Sequence, residues 1–295
     1  KMNALTNLKD LKWGVERRLE FIEFRLYWEG GVNRADIVEQ FGVSVPQASK
    51  DLSLYQNIAT DNIYYDRSQK RYLTAEMFDP KFIDLDATAY LRKLNSATSH
   101  SNGMKADWVS QTSSTDILPI PQRHINPEVL RVLLEAVRSN QSVNILYQST
   151  STSRPDPEWR RVSPHSFASD GLRWHTRAFC HQSKKFKDFI LSRCLGANEL
   201  AKTKEGQRSD VFWERYFNVI LQPNPLLSKN QQRVIAMDYE MGHNQVEVPV
   251  RYALLYYFSK RLRLDVAEQF DDPREVPVIV ENRKAFETAM SEAML

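Results

Sequence analysis

Apolar residues recur at three- and four-residue spacing from Leu11 to Trp28. Trp13, Leu19 (or Val15), Ile22, Leu26 and Tyr27 mark one side of a predicted helix. Gly30-Gly31 ends it. Asn33 stands where it caps a second helix, Arg34 to Phe41, with Ile37, Val38 and Phe41 as the apolar side. After a Gly42-Val43 turn, Ser44 caps a third helix. It starts Val45-Pro46-Gln47, with proline where the first turn tolerates it, and runs to about Gln56. Two short helices joined by a tight turn with Gly give the helix-turn-helix pattern. Ile63-Tyr64-Tyr65 and Arg71-Tyr72-Leu73-Thr74, joined through Asp66 to Lys70, then read as a hairpin.

Further along, Asp86 to Leu94 is a predicted short helix with Tyr90, Leu91 and Leu94 apolar. Ser96 to Thr115 is rich in Ser, Thr, Asn and Gly and reads as a loop, with Trp108 placed to pin it to a neighbouring domain. Ile117 to Pro121 is extended, because each proline biases its predecessor away from helix. Asn126-Pro127 opens a helix to about Arg138, its core side formed by Val129, Val132, Leu133, Ala136 and Val137. The period then changes to two. Val143, Ile145 and Tyr147 alternate on one strand, and Arg161, Ser163, His165 and Phe167 on a second. Leu172 to Cys180 forms a third and Phe189 to Cys194 a fourth. Short strands at this spacing predict a small barrel or a strongly bent sheet. Beyond them, Trp213, Tyr216 and Phe217 suggest an aromatic helix or turn. Val234 to Tyr239, Val246 to Val250 and Pro277 to Val280 read as strands. Arg251 to Leu264, and 283–295 after the cap Asn282, read as helices. The expected class is α+β. Its segments are a winged helix-turn-helix over 1–80, a helical linker and loop over 81–121, a β-rich domain over 122–205 and an α/β domain over 206–295.

Composition narrows the class. A chain of 295 residues with 42% hydrophobic, 11% aromatic and 26% charged residues has enough apolar material for two or three cores. No apolar run approaches the roughly 18 residues that span a bilayer, and no secretory signal is expected at the N-terminus. Two cysteines form neither a zinc pattern nor a disulfide framework, so a cytoplasmic protein without metal or cofactor is the expectation. The net charge of +3 is unevenly spread. Residues 1–78 balance to zero, whereas 119–205 carry 14 Lys and Arg against 8 Asp and Glu, and four of the six histidines. That block calls for an anionic partner or is a solvated basic surface.

Two sets of side chains carry candidate chemistry. On the third helix, Val45, Ala48, Leu52 and Tyr55 are expected inward, while Gln47, Lys50 and Ser53 project away. Gln reads adenine, Lys reads guanine or holds phosphate, and Ser44 and Ser49 lie within reach of the backbone. Arg67, Lys70 and Arg71 make the hairpin a basic wing. Together these eight residues form a candidate DNA interface; the bland reading is a small helical domain with an ordinary hairpin. On the third strand of the middle block, Arg173, His175 and Arg177 share one face, and Leu172, Trp174, Thr176, Ala178 and Cys180 the other, which reads as core. Three donors on one strand face repel unless something anionic meets them. For two neighbours plain roles stay open: His165 satisfying a backbone carbonyl, and Arg193 bridging to Asp188. A Ser163/His165 pair could imitate a nucleophile and its base, but nothing orients it. There is no phosphate loop and no nucleophile elbow, so no enzyme is expected.

The run Arg161-Val162-Ser163-Pro164-His165, then Gly171-Leu172-Arg173-Trp174-His175-Thr176-Arg177-Ala178, then Phe189-Ile190-Leu191-Ser192-Arg193, resembles a WYL domain. With the winged helix-turn-helix in front, the full length resembles the bacterial WYL-domain transcriptional regulators, in particular the homodimeric repressors beside phage-defence operons. The namesake Trp-Tyr-Leu is here Trp174-His175-Thr176, with only the tryptophan kept. The resemblance implies an Sm-like small β-barrel in the middle and a C-terminal dimerisation domain. It implies a dimeric repressor acting on a double-stranded inverted-repeat operator. It also implies a regulatory pocket for a nucleotide or nucleic-acid ligand, lined by Tyr147, Ser163, His165, His175, Arg177 and Arg193, to which the strand face adds Arg173. The alternative class is a single-stranded nucleic-acid-binding adaptor.

Overall fold

The computed structural model describes residues 12–99, 108–109 and 114–294. The chain divides into two units, Lys1–Pro119 and Ile120–Leu295.

In the first unit, α1 (Trp13–Glu29) ends on Gly30 in the left-handed conformation, φ 72°, where a residue with a Cβ would be strained. Asn33 starts α2 (Arg34–Phe41) through a reciprocal capping box with Asp36. Gly42 closes it with the same left-handed geometry. Ser44 then caps α3 (Val45–Ile58). A short β1 (Gly31–Val32) joins β2 (Ile63–Asp66) and β3 (Arg71–Thr74) in an antiparallel sheet of order β1-β3-β2, which is the wing. Leu19, Phe21, Ile22, Phe24 and Leu26 of α1 pack with Ile37, Ala48, Leu52 and Tyr55 in one core. Val45 is 54% exposed rather than inward, because it begins the helix one turn short of that core. α4 (Ala87–Ser99) follows. Most of the loop expected over Ser96–Thr115 lies outside the described residues. Trp108 packs edge-on against Phe21 and Phe24 of α1, pinning its segment to the winged helix-turn-helix as expected.

In the second unit, Asn126 caps α5 (Pro127–Arg138), whose Val129, Leu133 and Ala136 are buried. The helix covers a five-stranded antiparallel sheet of order β7-β6-β5-β4-β8, where β4 is Gln141–Tyr147, β5 Glu158–Ser169, β6 Trp174–Cys180, β7 Lys185–Ile190 and β8 Cys194–Lys202. The fourth predicted strand is two: β7 ends at Ile190, a 3-10 turn spans Leu191–Arg193, and β8 starts at Cys194. The simple alternation expected on β5 is broken by a bulge between Pro164 and Ser166. Proline has no N–H to give a central strand, and a bulge accommodates that. The extra residue shifts the faces, so Ser163 and Ser166 pair opposite Phe179 and Arg177, while Phe167 turns to the α5 core.

A second antiparallel sheet, β10-β9-β11, consists of β9 (Tyr216–Pro223), β10 (Val246–Arg251) and β11 (Val278–Val280). Four helices accompany it: α6 (Val211–Glu214), α7 (Lys229–Asp238), α8 (Leu255–Arg261) and α9 (Arg283–Met294). The strand expected over Val234–Tyr239 is instead mostly α7. Ser228 and Gln231 form a capping box ahead of it, a start signal that outweighs the apolar Val-Ile-Ala-Met run. The long helix expected over Arg251–Leu264 is shorter, with 3-10 turns on both sides of α8. No described helix is long and apolar enough to cross a membrane.

Candidate functional site

On α3, Lys50 and Ser53 are exposed and Ser49 is half-buried. Ser44 spends its hydroxyl on the cap, accepting from the Gln47 backbone N–H at 3.3 Å. Gln47 does not simply project away. Its Nε2 donates to Asp51 Oδ1 at 3.0 Å. Asp51 is buried and is itself held by Arg18 of α1, whose Nε donates to Oδ2 at 2.6 Å. In the wing, Arg67 and Lys70 are exposed in the turn, and Lys70 takes the left-handed conformation at φ 53°. Arg71 is not at the tip; its guanidinium lies across Gly31, within 2.8 Å of where a Cβ would stand. The exit from the wing is fastened by Glu23. This fully buried carboxylate accepts from the Tyr55 hydroxyl at 2.8 Å and from the backbone N–H groups of Lys81, Phe82 and Ile83.

The β6 face presents a different situation. Arg177 is buried, and its Nε and Nη2 donate to the two carboxylate oxygens of Asp210 at 2.7 and 3.3 Å. Its Nη1 reaches Asp188 at 3.5 Å. His165 Nε2 meets Asp210 at 3.2 Å, and Asp210 also caps α6 by accepting from the Trp213 N–H. Burial opposes the charge of Asp210, yet hydrogen bonds from His165 and Arg177 outweigh it and hold the carboxyl below its ordinary value. Burial likewise opposes the charge of Arg177, and its two carboxylates outweigh that too. The anions that the strand face demanded are therefore supplied by the chain itself.

His175 is fully buried, with its ring stacked on Tyr257 of α8 at 4.7 Å. Neither ring nitrogen has a hydrogen-bond partner among the described residues. Burial pushes its pKa down against the pull of Asp188 and Asp170, so its charged form is disfavoured. Tyr257 donates its hydroxyl to Asp188 at 3.0 Å. Ser163 is fully buried between His181 and Thr203, at 2.8 Å from each. Tyr147 belongs to the α5 core, edge-on to Phe189, and its hydroxyl accepts from the Ile190 N–H. Arg193 does not bridge to Asp188; it donates to Thr150. Trp174 and Leu172, expected in the core, are 53% and 49% exposed, since they lie at the strand's open end. Arg173 pairs with Asp170 at 2.8 Å and keeps part of its side chain in solvent. It lines a cleft of about 350 Å³ with Arg123, Lys260, Arg261, Asp170, Leu172, Tyr256 and Tyr257. Among the described residues no cluster of His, Cys, Asp and Glu is arranged to hold a metal.

Residues 14–96 match the BrxR transcriptional regulator winged helix-turn-helix domain, 128–198 the WYL domain, and 216–286 the BrxR transcriptional regulator C-terminal dimerization domain. The chain is 34% identical over 283 residues to the DNA-binding transcriptional repressor CapW of Escherichia coli (strain KTE188), covering 96% of this chain and 94% of that protein. It is 35% identical to CapW of Stenotrophomonas maltophilia over the same shares. It is 34% identical to CapW of Pseudomonas aeruginosa, over 92% of this chain and 90% of that one. The chain belongs to the CapW family of WYL-domain regulators.

Within this family member, sequence reasoning missed the residues that complete each cluster. Asp51 and Glu23 are acidic residues inside apolar helix faces, and a carboxylate placed among Phe21, Ile22 and Phe24 was the available signal for the second. Asp210 carried a local signal, a cap ahead of Val211–Glu214, but nothing local linked it to Arg177, 33 residues earlier. Lys260 and Arg261 reach the Arg173 cleft from α8, a further non-local pairing.

Proposed function

We propose that this CapW-family protein is a sequence-specific DNA-binding transcriptional repressor that works as a homodimer on an inverted-repeat operator of a phage-defence operon. It acts in the cytoplasm and carries out no catalysis. The observation that carries this reading is α3: a capped helix whose N-terminal turn holds Gln47 and whose outer side exposes Lys50 and Ser53, backed by a basic wing turn, in a chain aligned almost end to end with named DNA-binding repressors. The N-terminal turn of such a helix is what reaches base edges. Gln47, Ser49, Lys50 and Ser53 serve the groove, and Arg67 and Lys70 the phosphates, with Ser44 holding the helix start and Arg71 supporting the wing. The match of 216–286 to a dimerization domain supports the dimer.

Repression is controlled by an anionic nucleotide or nucleic-acid ligand at the WYL domain. The Arg173 cleft supports this part, because Arg123, Arg173, Lys260 and Arg261 line it beside two tyrosine rings, against Asp170 on Arg173 and Asp265 on Lys260. Arg193 lies on the solvent side of the same domain. Tyr147, Ser163, His165, His175 and Arg177 belong to the interior of the unit, where they transmit occupancy rather than touch the ligand first. Transmission requires that the ligand favour one arrangement over another, since only differential affinity shifts an equilibrium.

The test is a titration of the full-length protein with duplex DNA from upstream of its own gene, repeated across salt concentrations. Binding should be tight, two chains per site and strongly salt-dependent. Unchanged duplex binding by Gln47→Ala with Lys50→Ala would reject the DNA-contact role of α3. Titrating the complex with short single-stranded oligonucleotides should alter duplex affinity, and Arg173→Ala with Lys260→Ala should remove that effect. The same cleft also suits an adaptor whose main task is holding single strands. That reading predicts single-strand binding that persists when duplex binding is absent.

A further inference from the structure

We infer that Asp51 fixes which base Gln47 reads, and that this base is adenine. The inference rests on the reading of α3 as the helix that enters the groove. Gln47 is the third residue of α3, in the turn closest to base edges. A glutamine amide has an acceptor oxygen on one side and an NH₂ donor on the other, so its recognition depends on which side faces outward. In an unanchored side chain the two orientations interchange freely. Here Asp51 removes the choice. Its carboxylate is buried and accepts two bonds from Arg18, one on each oxygen, so it faces Gln47 as an acceptor. The Gln47 amide must turn its nitrogen toward it, and it does, at 3.0 Å.

The consequence follows from the geometry of the amide. One hydrogen of Nε2 is held by Asp51. The other, on the same side as Oε1, stays free together with that oxygen. An acceptor and a donor side by side match adenine, whose major-groove edge offers the N6 donor and the N7 acceptor. They do not match guanine, which offers two acceptors, O6 and N7. Asp51 is thus a positioning residue. It touches no DNA, yet it sets the specificity of a residue that does, and Arg18 of α1 holds it in register.

The isosteric change Asp51→Asn makes the test sharp. Arg18 will claim the asparagine oxygen, leaving the asparagine NH₂ toward Gln47. The Gln47 oxygen must then accept from it, and both Nε2 hydrogens turn outward, the donor pair that suits guanine. Duplexes bound from a random library by the full-length protein, its Asp51→Asn variant and its Gln47→Ala variant would be sequenced, with thermal melting of each protein alongside. The wild type should prefer adenine over guanine by roughly tenfold or more at one position mirrored in both half-sites. Gln47→Ala should level that position alone, and Asp51→Asn should move it toward guanine. A purely structural role for Asp51 would lower affinity for all duplexes alike and leave the preference unmoved, which overturns the inference. So does a wild-type preference for guanine at the position Gln47→Ala levels, a result that stands even if Asp51→Asn fails to fold. Selection of no duplex at all overturns the DNA-binding reading itself, and this inference with it.

Discussion

Lys50 on α3 and Arg177 on β6 are both cations on regular elements, and both were candidate contacts for an anion outside the protein. Lys50 is exposed. Arg177 has 5% of its side chain exposed and is held between Asp188 and Asp210, 11 and 33 residues away. The periodicity of a helix or strand says which side chains share a face. It does not say whether the chain itself brings counter-charges to that face. Around α3 the tertiary fold uses carboxylates inward, with Asp51 and Glu23 holding Arg18, Gln47 and the backbone of Lys81–Ile83, and leaves the outer side open. Around β6 the fold brings Asp210 and Tyr257 over the cationic side. An open face can bind directly. A covered one responds only through what covers it.

The largest effect should come from breaking the covered cluster. Asp210→Ala leaves Arg177 without its nearest counter-charge and His165 with Ser166 alone, its Nε2 unpaired. Losing one member of a buried pair costs about 3–5 kcal/mol. Urea unfolding followed by circular dichroism should show a loss of that order, and Arg177→Met with Asp210→Leu should recover much of it by replacing the pair with apolar packing. A single-variant cost below about 1 kcal/mol would mean that the cluster is solvated and that the contrast with Lys50 is false.

Lys50→Ala should behave in the opposite way. An exposed lysine away from any cap or pair changes stability by no more than about 0.5 kcal/mol. Its effect should appear in duplex binding, as weaker affinity for all sequences and a salt slope smaller by about one unit if it contacts a phosphate. Destabilisation without any change in binding would reverse the assignment of open and covered faces.

How much of this was legible in the sequence follows the distance over which each signal acts. The helix-turn-helix was readable because Gly30, Asn33, Gly42 and Ser44 act on neighbours within five residues, and all four do so in the structure. The start of α7 is equally local, in the Ser228 cap, but the apolar run Val234–Met237 carries the competing signal of a strand. β8 was harder to see, since Leu195, Gly196, Ala197 and Asn198 form no strict alternation, and pairing with β4 decides it through two register shifts. The bulge on β5 was signalled only by Pro164. The Arg177–Asp210–His165 cluster was not legible, because a salt bridge between a strand and a later helix cap leaves no periodic trace. The candidate residues rest on residue type, and their exposure is what the pattern could not supply.

The smallest effect concerns pH and tests whether the covered face is sealed. His175 is buried against Tyr257, and its folded-state pKa lies below the ordinary 6.5. Desolvation dominates; Asp188 and Asp170 pull it up, while Arg173 and Arg177 push it further down. Below pH 6.5 the unfolded chain takes up a proton that the folded chain refuses, so the unfolded state binds more protons and stability rises with pH across that window. Acidification from neutral pH should therefore weaken the fold progressively, until the pH falls below the depressed folded value. His181 is shifted the same way, chiefly by burial, and adds to the slope. Asp210 acts only further down, because its depressed value makes it lose stability as the pH falls below the carboxylate range. His175→Phe keeps a flat ring against Tyr257 and cannot be protonated. Its urea midpoint should fall less than the wild type's between about pH 7 and pH 5, with His181→Phe as the control for the second contributor. An identical slope in wild type and His175→Phe would mean that the imidazole reaches solvent, and that the face above β6 opens as readily as the outer side of α3.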